Sequence, residues 1–365
     1  MSEILAPCGA MESLTAAVNA GADAVYLGEE YFSARKNADN FTAEQLCDAV
    51  RFCHYSGVKV YVTLNTLVFD REIPLLAKAI ENCAKADVDA FIVQDMGVAR
   101  LSRQIVPELP LHASTQMTVN SPEGAIMAKE LGFTRVVLGR ELSLAQIKAI
   151  TESCDIETEL FVHGALCVCI SGQCYMSSVL GGRSGNRGLC AQPCRLDFTS
   201  GDRHNVLSLK DLSLTEKLPE LAKAGITSFK IEGRMKRPEY VAGAVNACRV
   251  ALDGGTPDLI SLKNVFSRSG FTSGYFDDDF KNMQGVRTKD DVTSATSKVL
   301  SAMKQYYHKP FRRFPADITV NVKSGQPVCY KLSACGVSSS AVGDIPEKAV
   351  NRAVTAEYLE NQCTK

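Results

Sequence analysis

Residues 58–95, VKVYVTLNTLVFDREIPLLAKAIENCAKADVDAFIVQD, contain one complete strand–helix–strand unit. The β-branched run VKVYVTLN ends on a polar residue, LLAKAIENCAKAD has the apolar spacing of an amphipathic helix, and AFIVQD is the next short apolar run. The pattern recurs on both sides, at ILAPCG (4–9), AVYLGE (24–29), LHASTQ (111–116), RVVLGRE (135–141), ETELFVHG (157–164) and SFKIEGR (228–234). Strands that alternate with helices predict a parallel sheet, and eight such units within about 250 residues predict a closed (β/α)8 TIM-like barrel of the α/β class. A doubly wound open sheet is the runner-up, but no strand is followed by a Gly-x-Gly-x-x-Gly turn.

This reading assigns residues 1–255 to the barrel, with a cysteine-rich insertion at 164–200, and 256–300 to a connecting segment packed on it. Residues 301–365 are expected to form a small β-rich C-terminal domain, because ADITVNVKSGQPVCYKLSACG alternates around a turn at Ser324-Gly325. The chain ends at ENQCTK without a closing element, as one module of a longer protein would. No apolar run approaches about 18 residues and no charged leader precedes the first strand, which predicts a cytoplasmic protein with no membrane partner. A net charge of -1 argues against coating nucleic acid by bulk charge, but not against a local basic patch.

In a barrel, the residues at the strand C-termini gather around one mouth. Here they are polar: Glu29, Asn65, Gln94, Asp95, His112, Ser114, Gln116, Arg140, Glu141, Glu159, His163, Lys230, Glu232 and Arg234. The insertion would lie over that mouth. It holds five of the fourteen cysteines, Cys167, Cys169, Cys174, Cys190 and Cys194, and has little apolar periodicity, so its order needs another source. A reducing compartment argues against a disulfide scaffold; clustered cysteines then read as metal ligands, and scattered ones such as Cys47, Cys53 and Cys83 as small buried hydrophobes. The spacing C-x6-C-x15-C-x3-C lacks the tight C-x-x-C pairs of zinc knuckles and suits an iron–sulfur cluster, whose thiolates arrive from separated backbone segments. Cys169 and the distant Cys248 are alternative ligands, and Arg183, Arg187 and Arg195 would offset the cluster's negative charge. The rival chemistry is a Cys167 nucleophile with His163 as base, but Gly164 and the strand ending there oppose it, and neither a Gly-x-Ser-x-Gly elbow nor an HExxH helix is present.

The motifs ELFVHGALCVCISGQCYMSS, GRSGNRGLCAQPCR, LKDLSL, FKIEGRMKRPEYV and FTSGYF together resemble the collagenase-like peptidase family, the U-type peptidases of unassigned mechanism. The likeness runs from LAPCGAMESL to roughly residue 280, and the part after 300 resembles the start of the extra domain of longer members similar to the bacterial ribosomal RNA cytidine hydroxylase. The resemblance implies an iron–sulfur enzyme that hydroxylates a cytidine of large-subunit ribosomal RNA, dependent on prephenate. It places a 4Fe-4S cluster on Cys167, Cys174, Cys190 and Cys194. A transfer RNA wobble uridine hydroxylase, an oxygen-independent ring hydroxylase of quinone synthesis and a genuine peptidase are its alternatives. Members often read KDLC where this chain has Lys210-Asp211-Leu212-Ser213, which leaves the fourth ligand open. On this reading His163, Glu159 and Glu232 are catalytic candidates, while Arg140, Arg183, Arg187, Arg234, His112, Gln116 and Lys230 are candidates for binding substrate. Guanidinium forks suit the two carboxylates of prephenate. Lys298, Lys304, Lys309, Arg312 and Arg313, interleaved with Tyr306, Tyr307, Phe311 and Phe314, form either an RNA-contacting stretch or a linker whose aromatics dock on the barrel.

Overall fold

The computed structural model describes residues 2–35, 38–309, 311, 315–334, 336–348 and 353–363. The chain divides into two compact units, Met1–Phe311 and Arg312–Lys365. In the first, β1 (Glu3–Pro7), β2 (Ala24–Gly28), β3 (Lys59–Leu64), β4 (Ala90–Val93), β5 (Leu111–Ala113), β6 (Arg135–Val137) and β7 (Glu157–Gly164) pair in sequence, all parallel. Between β7 and the last barrel strand lies β8 (Asp211–Ser213); β9 (Ser228–Ile231) then pairs in parallel with both β7 and β1 and closes an eight-stranded barrel. All eight strands expected from the sequence are present.

Helices α1 (Met11–Asn19), α2 (Ala43–Tyr55), α3 (Ile73–Lys85), α4 (Met96–Ile105), α5 (Pro122–Glu130) and α6 (Leu144–Ser153) follow the first six strands. The connection from β7 to β9 carries α7 (Met176–Gly181) and α8 (Leu218–Lys223), and α9 (Pro238–Leu252) follows β9. Capping is encoded locally: Thr42 and Ser143 begin α2 and α6 with reciprocal Gln partners, and Asp95 caps α4.

Alternation along each strand sorts the core into two faces. Ile4, Val25, Val60 and Phe91 join the large outer core beneath the helices, while Leu5, Ala24, Tyr26, Tyr61, Ala90 and Ile92 form a separate cluster inside the barrel. That interior also contains charge. Arg135 reaches Glu3 at 2.7 Å, Glu157 at 2.7 Å and Glu159 at 3.2 Å, and Lys230 Nζ donates to Glu159 Oε1 at 2.7 Å. Tyr61 Oη and Ser228 Oγ donate to Glu3, and the Arg135 and Lys230 cations lie over the rings of Tyr61 and Tyr26. Glu159, Lys230 and His112 are therefore inside the barrel and not on its rim. Strand β7 is eight residues long and Glu159 is its third, so the mouth lies five residues further on.

Two short strands were not expected. β8 runs antiparallel to the end of β7, pairing His163 with Ser213, and β10 (Phe271–Thr272) runs parallel to β8. The final turn of β7 offers open backbone groups at its edge, which β8 satisfies. Helices α10 (Leu259–Val265), α11 (Lys289–Thr293) and α12 (Ser297–Lys304) follow, and α12 packs on α9 and α10. Met303 is buried there, its sulfur so close to Gly243 that a Cβ on that residue would meet it at 2.7 Å. The first unit thus runs past residue 301, the expected start of the second domain, and ends at Phe311. Tyr306 and Tyr307 pack against the barrel core while Lys298, Lys304 and Lys309 are exposed, so these two tyrosines dock on the barrel. Arg312, Arg313 and Phe314 lie outside the described residues.

The second unit is an antiparallel sheet of β11 (Asp317–Asn321), β12 (Cys329–Ala334) and β13 (Val337–Val342), followed by α13 (Ala356–Cys363). Gly325 turns the first hairpin with φ +73, as the Ser-Gly pair suggests. Among the described residues no helix is long and apolar enough to cross a membrane.

The interior ion cluster yields a stability prediction. Glu159→Ala removes the carboxylate bonded to Lys230 and one of those bonded to Arg135, and should cost about 3–5 kcal/mol as a lower urea midpoint. Glu159→Gln, which keeps hydrogen-bonding capacity, should lose less. An unchanged midpoint in the alanine variant would show that the cluster is not a stabilising unit.

Candidate functional site

The rim of the barrel is built around Glu232, the first residue after β9. Its carboxylate accepts from Arg35 Nη2 at 3.1 Å and from Arg140 Nη2 at 3.0 Å. Arg35 comes from the loop after β2, Arg140 from the turn after β6, and Arg234 from the turn after β9. Arg234 donates to Ser33 Oγ at 2.6 Å and Thr63 Oγ1 at 2.9 Å and, among the described residues, has no ion-paired carboxylate although it is buried. Burial alone would raise the Glu232 carboxyl; Arg35, Arg140 and Arg234 outweigh it and hold it at about 2. Burial, then the neighbouring Arg35, lowers the Arg234 guanidinium to about 10. Within this cluster three guanidinium groups face one carboxylate, an excess of two positive charges around Glu232.

Arg140 also donates from Nη1 to Ala165 O at 3.0 Å and lies 3.9 Å over the Phe161 ring. Its Nε is buried without a partner among the described residues, as are Thr66 Oγ1, Gln94 Oε1 and His163 Nε2. Donors and acceptors left unpaired at the ends of several strands are what a polar ligand or water would meet. Gln116 is less free: its Nε2 donates to Asn65 O at 3.1 Å.

The cysteine segment crosses above this rim on side-chain anchors in place of regular structure. Glu141 accepts from Ser171 N at 3.1 Å and Ser171 Oγ at 2.8 Å, and Thr118 Oγ1 donates to Ser171 O at 2.8 Å. The next residue, Gly172, has φ +80 and passes so near Gln116 that a Cβ would lie 2.5 Å from its carbonyl oxygen; no other residue fits there. Arg187 pairs with Glu72 at 2.6 Å and stacks over Phe69. Arg195 donates to Leu166 O at 2.6 Å and to Leu209 O, tying the two ends of the excursion together. Arg187 and Arg195 are thus engaged in holding the segment, while Arg183 is exposed.

These anchors bring the cysteines into one neighbourhood. Burial raises the Cys194 thiol, Arg195 opposes this, and Cys167, Cys190 and Cys174 all lie near enough to raise it further. Cys169 is hydrogen-bonded to Cys174. Cys190 Sγ faces two donors, Gln192 N at 3.4 Å and Ser177 Oγ at 3.8 Å. Cys167 lies within electrostatic reach of Arg35, which joins the thiol group to the charged rim. Among the described residues no three His, Cys, Asp or Glu side chains are grouped closely enough for a single metal ion. Cys248 is fully buried in α9, where burial pushes its thiol up to about 12.

A barrel with this rim and this cysteine segment can be compared with known proteins. Residues 9–284 match peptidase family U32. The chain belongs to this family. It is 43% identical over 284 residues to a 23S rRNA 5-hydroxycytidine synthase of Escherichia coli (strain K12), covering 75% of this chain and 42% of that protein. It is 38% identical over 270 residues to a tRNA hydroxylation protein of Bacillus subtilis (strain 168), covering 70% of this chain and 64% of the relative. A collagenase of Porphyromonas gingivalis (strain ATCC BAA-308 / W83) is 36% identical over 306 residues, covering 75% of this chain and 71% of that protein. The chain therefore spans less than two thirds of the first two relatives.

His163 is buried at the end of β7 between the rings of Tyr240 and Phe271. Its Nδ1 lies 3.3 Å from Ser213 Oγ, which also contacts Thr215 Oγ1 at 3.0 Å. Ser213 is the polar neighbour of His163. Arg35 was not anticipated from the sequence; it lies seven residues beyond β2, in a loop without periodicity.

His163 gives a pH prediction. Burial lowers its imidazole from 6.5 to about 4. Between these values the unfolded chain takes up a proton that the folded chain refuses. Stability should be fully present above pH 6.5 and fall as the pH drops towards 4, by up to about 1.4 kcal/mol per pH unit. His112, lowered by burial and then by Arg135, adds to the same limb. Denaturant midpoints of His163→Gln should fall less steeply across this range than those of the natural chain, and equal slopes would refute the assignment.

Proposed function

We propose that this chain carries the catalytic barrel of an RNA-modifying enzyme that hydroxylates a pyrimidine base, with a cytidine of large-subunit ribosomal RNA as the favoured target. The observation that carries this reading is the cluster of Arg35, Arg140 and Arg234 around the single carboxylate of Glu232, beneath a group of cysteines. The names of two relatives, a 23S rRNA 5-hydroxycytidine synthase and a tRNA hydroxylation protein, support RNA as substrate. Exchanging a ring C–H for C–OH adds one oxygen and removes two electrons, which acid–base groups alone cannot accomplish.

Cys167, Cys174, Cys190 and Cys194 would hold an iron–sulfur cluster, which when bound supplies one-electron redox chemistry. The fit rests on their shared neighbourhood, on the donors facing Cys190 Sγ, and on Arg195 beside Cys194, since hydrogen bonds and cations favour thiolates. Prephenate, with its two carboxylates, matches the net charge of the rim. Arg234 and Arg140 would each take a carboxylate, Glu232 would keep Arg35 and Arg140 oriented, and the segment anchored at Ser171 would exclude water. Glu159 and Lys230 lie beneath this floor and support it from the barrel interior.

Three measurements test the reading. Protein purified without oxygen should contain iron and absorb in the visible, and Cys174→Ala should lose both; an iron-free, colourless natural chain would sink the cluster. Calorimetry should show prephenate binding weakened about tenfold or more in Arg234→Ala, whereas equal affinity would remove the rim from substrate binding. Mass spectrometry of RNA from a deletion strain should show one nucleotide lighter by about 16 Da, one oxygen atom, and fully modified RNA would refute the reaction.

A further inference from the structure

A second group of cations lies outside the rim. The turn from β9 into α9 continues past Arg234 to Met235, Lys236 and Arg237, and forms one wall of a cleft of about 330 Å³. The other wall is formed by Phe266 at the end of α10 and by Arg287. Lys236 Nζ sits 3.0 Å from the centroid of the Phe266 ring, Arg287 lies 4.3 Å from it, and Arg268 lies 5.4 Å from it. One aromatic ring thus gathers three cations, and Arg237 is exposed beside them.

The nearby acids do not balance this charge. Asp211 is buried and already bonded to Arg268, and Glu239 on α9 faces Lys304 at 3.9 Å. Asp291 on α11 accepts from Ser269 N, Thr288 N and Thr288 Oγ1. Among the described residues, Lys236, Arg237 and Arg287 form no ion pair with a carboxylate. Burial, then Arg268, pushes the Lys236 ammonium down to about 7 against the opposing pull of Asp211. α9 begins at this cleft with Arg237 as N-cap and no side-chain cap, so the positive end of its dipole adds to the field. The whole chain carries a net charge of only -1, so the patch is a local concentration and not part of a generally basic surface.

We infer that the Lys236–Arg237–Arg287 cleft binds the phosphodiester backbone of single-stranded RNA and positions it beside the barrel mouth. The inference rests on the RNA reading above. A strip of guanidinium and ammonium groups around a half-buried aromatic ring suits consecutive phosphates, and the same β9-to-α9 turn supplies Arg234 to the rim, so backbone contact and substrate pocket share one connection.

The test is fluorescence anisotropy of a labelled single-stranded RNA oligonucleotide with the full chain, across about 50–200 mM salt. In the Arg237→Ala/Arg287→Ala variant the affinity should fall about tenfold at the low-salt end, and the slope of log affinity against log salt should shrink by about 1.4, two contacts at about 0.7 each. Both side chains are exposed, so thermal unfolding should be unchanged, and Arg237→Lys/Arg287→Lys should retain most of the affinity. Unchanged affinity and slope in the alanine variant, or no binding by the natural chain, would overturn the inference. Inorganic phosphate that displaces the oligonucleotide at equal phosphate concentration would overturn it too, by reassigning the cleft to a free anion. The two proposals fail separately. Arginine-dependent binding with fully modified RNA in the deletion strain removes the hydroxylase and keeps the cleft, whereas a missing modification with undiminished binding removes the cleft alone.

Discussion

The contact of Glu232 with Arg35 and Arg140 connects three parts of the barrel that are far apart in sequence. Arg35 belongs to the second βα loop, Arg140 to the sixth and Glu232 to the last, and Arg140 continues to Ala165 at the root of the cysteine segment. Burying such charges is costly unless they are paired, and removing one partner leaves the others without compensation. The excess of guanidinium over carboxylate persists because Ser33 and Thr63 supply acceptors for Arg234. What results is a rigid floor of positive charge, arranged before any anion arrives.

A second set of contacts governs the roof. From Cys167 to Arg195 the chain has little regular structure, and its backbone groups must find partners elsewhere. Glu141 and Thr118 hold Ser171, Arg187 reaches across to Glu72, and Arg195 joins the beginning of the excursion to its end. The arginines near the cysteines, which look from their spacing like counter-charges for a cluster, thus divide their work. Arg195 lies beside Cys194 and also pins backbone, and Arg187 serves the scaffold.

The barrel was legible because its strands are buried on both faces and read as short runs dominated by apolar or β-branched residues. Depth within the barrel was not. Glu159 and Lys230 are recognisable as charges on strands, but only the full length of β7 places Glu159 below the rim, and pairing with Arg135 and Lys230 is tertiary information. β8 and β10 span three and two residues, too few for any period to show. Arg35 lies in a loop without periodicity, and its partner is 197 residues away. The change to basic and aromatic composition near residue 301 suggested a boundary there, yet Met303 is an apolar residue on a helix and is buried against Gly243, so the first unit extends beyond it. The cysteine spacing was legible as a set, whereas the choice among Cys169, Cys194 and more distant thiols depends on which of them the anchors bring together.

The barrel closes through β1 and β9, whose paired residues Glu3 and Ser228 lie at opposite ends of the barrel sequence. On the ribosome, β1 must wait with one edge open until more than two hundred further residues have been made. Glu232 and Arg234 emerge directly after the closing strand. Until then Arg35 and Arg140 are two cations without their central carboxylate, and the cysteine segment, already synthesised, has no floor beneath it. Ring closure through β9 and the pairing of Glu232 with Arg35 and Arg140 therefore become possible at the same point in synthesis.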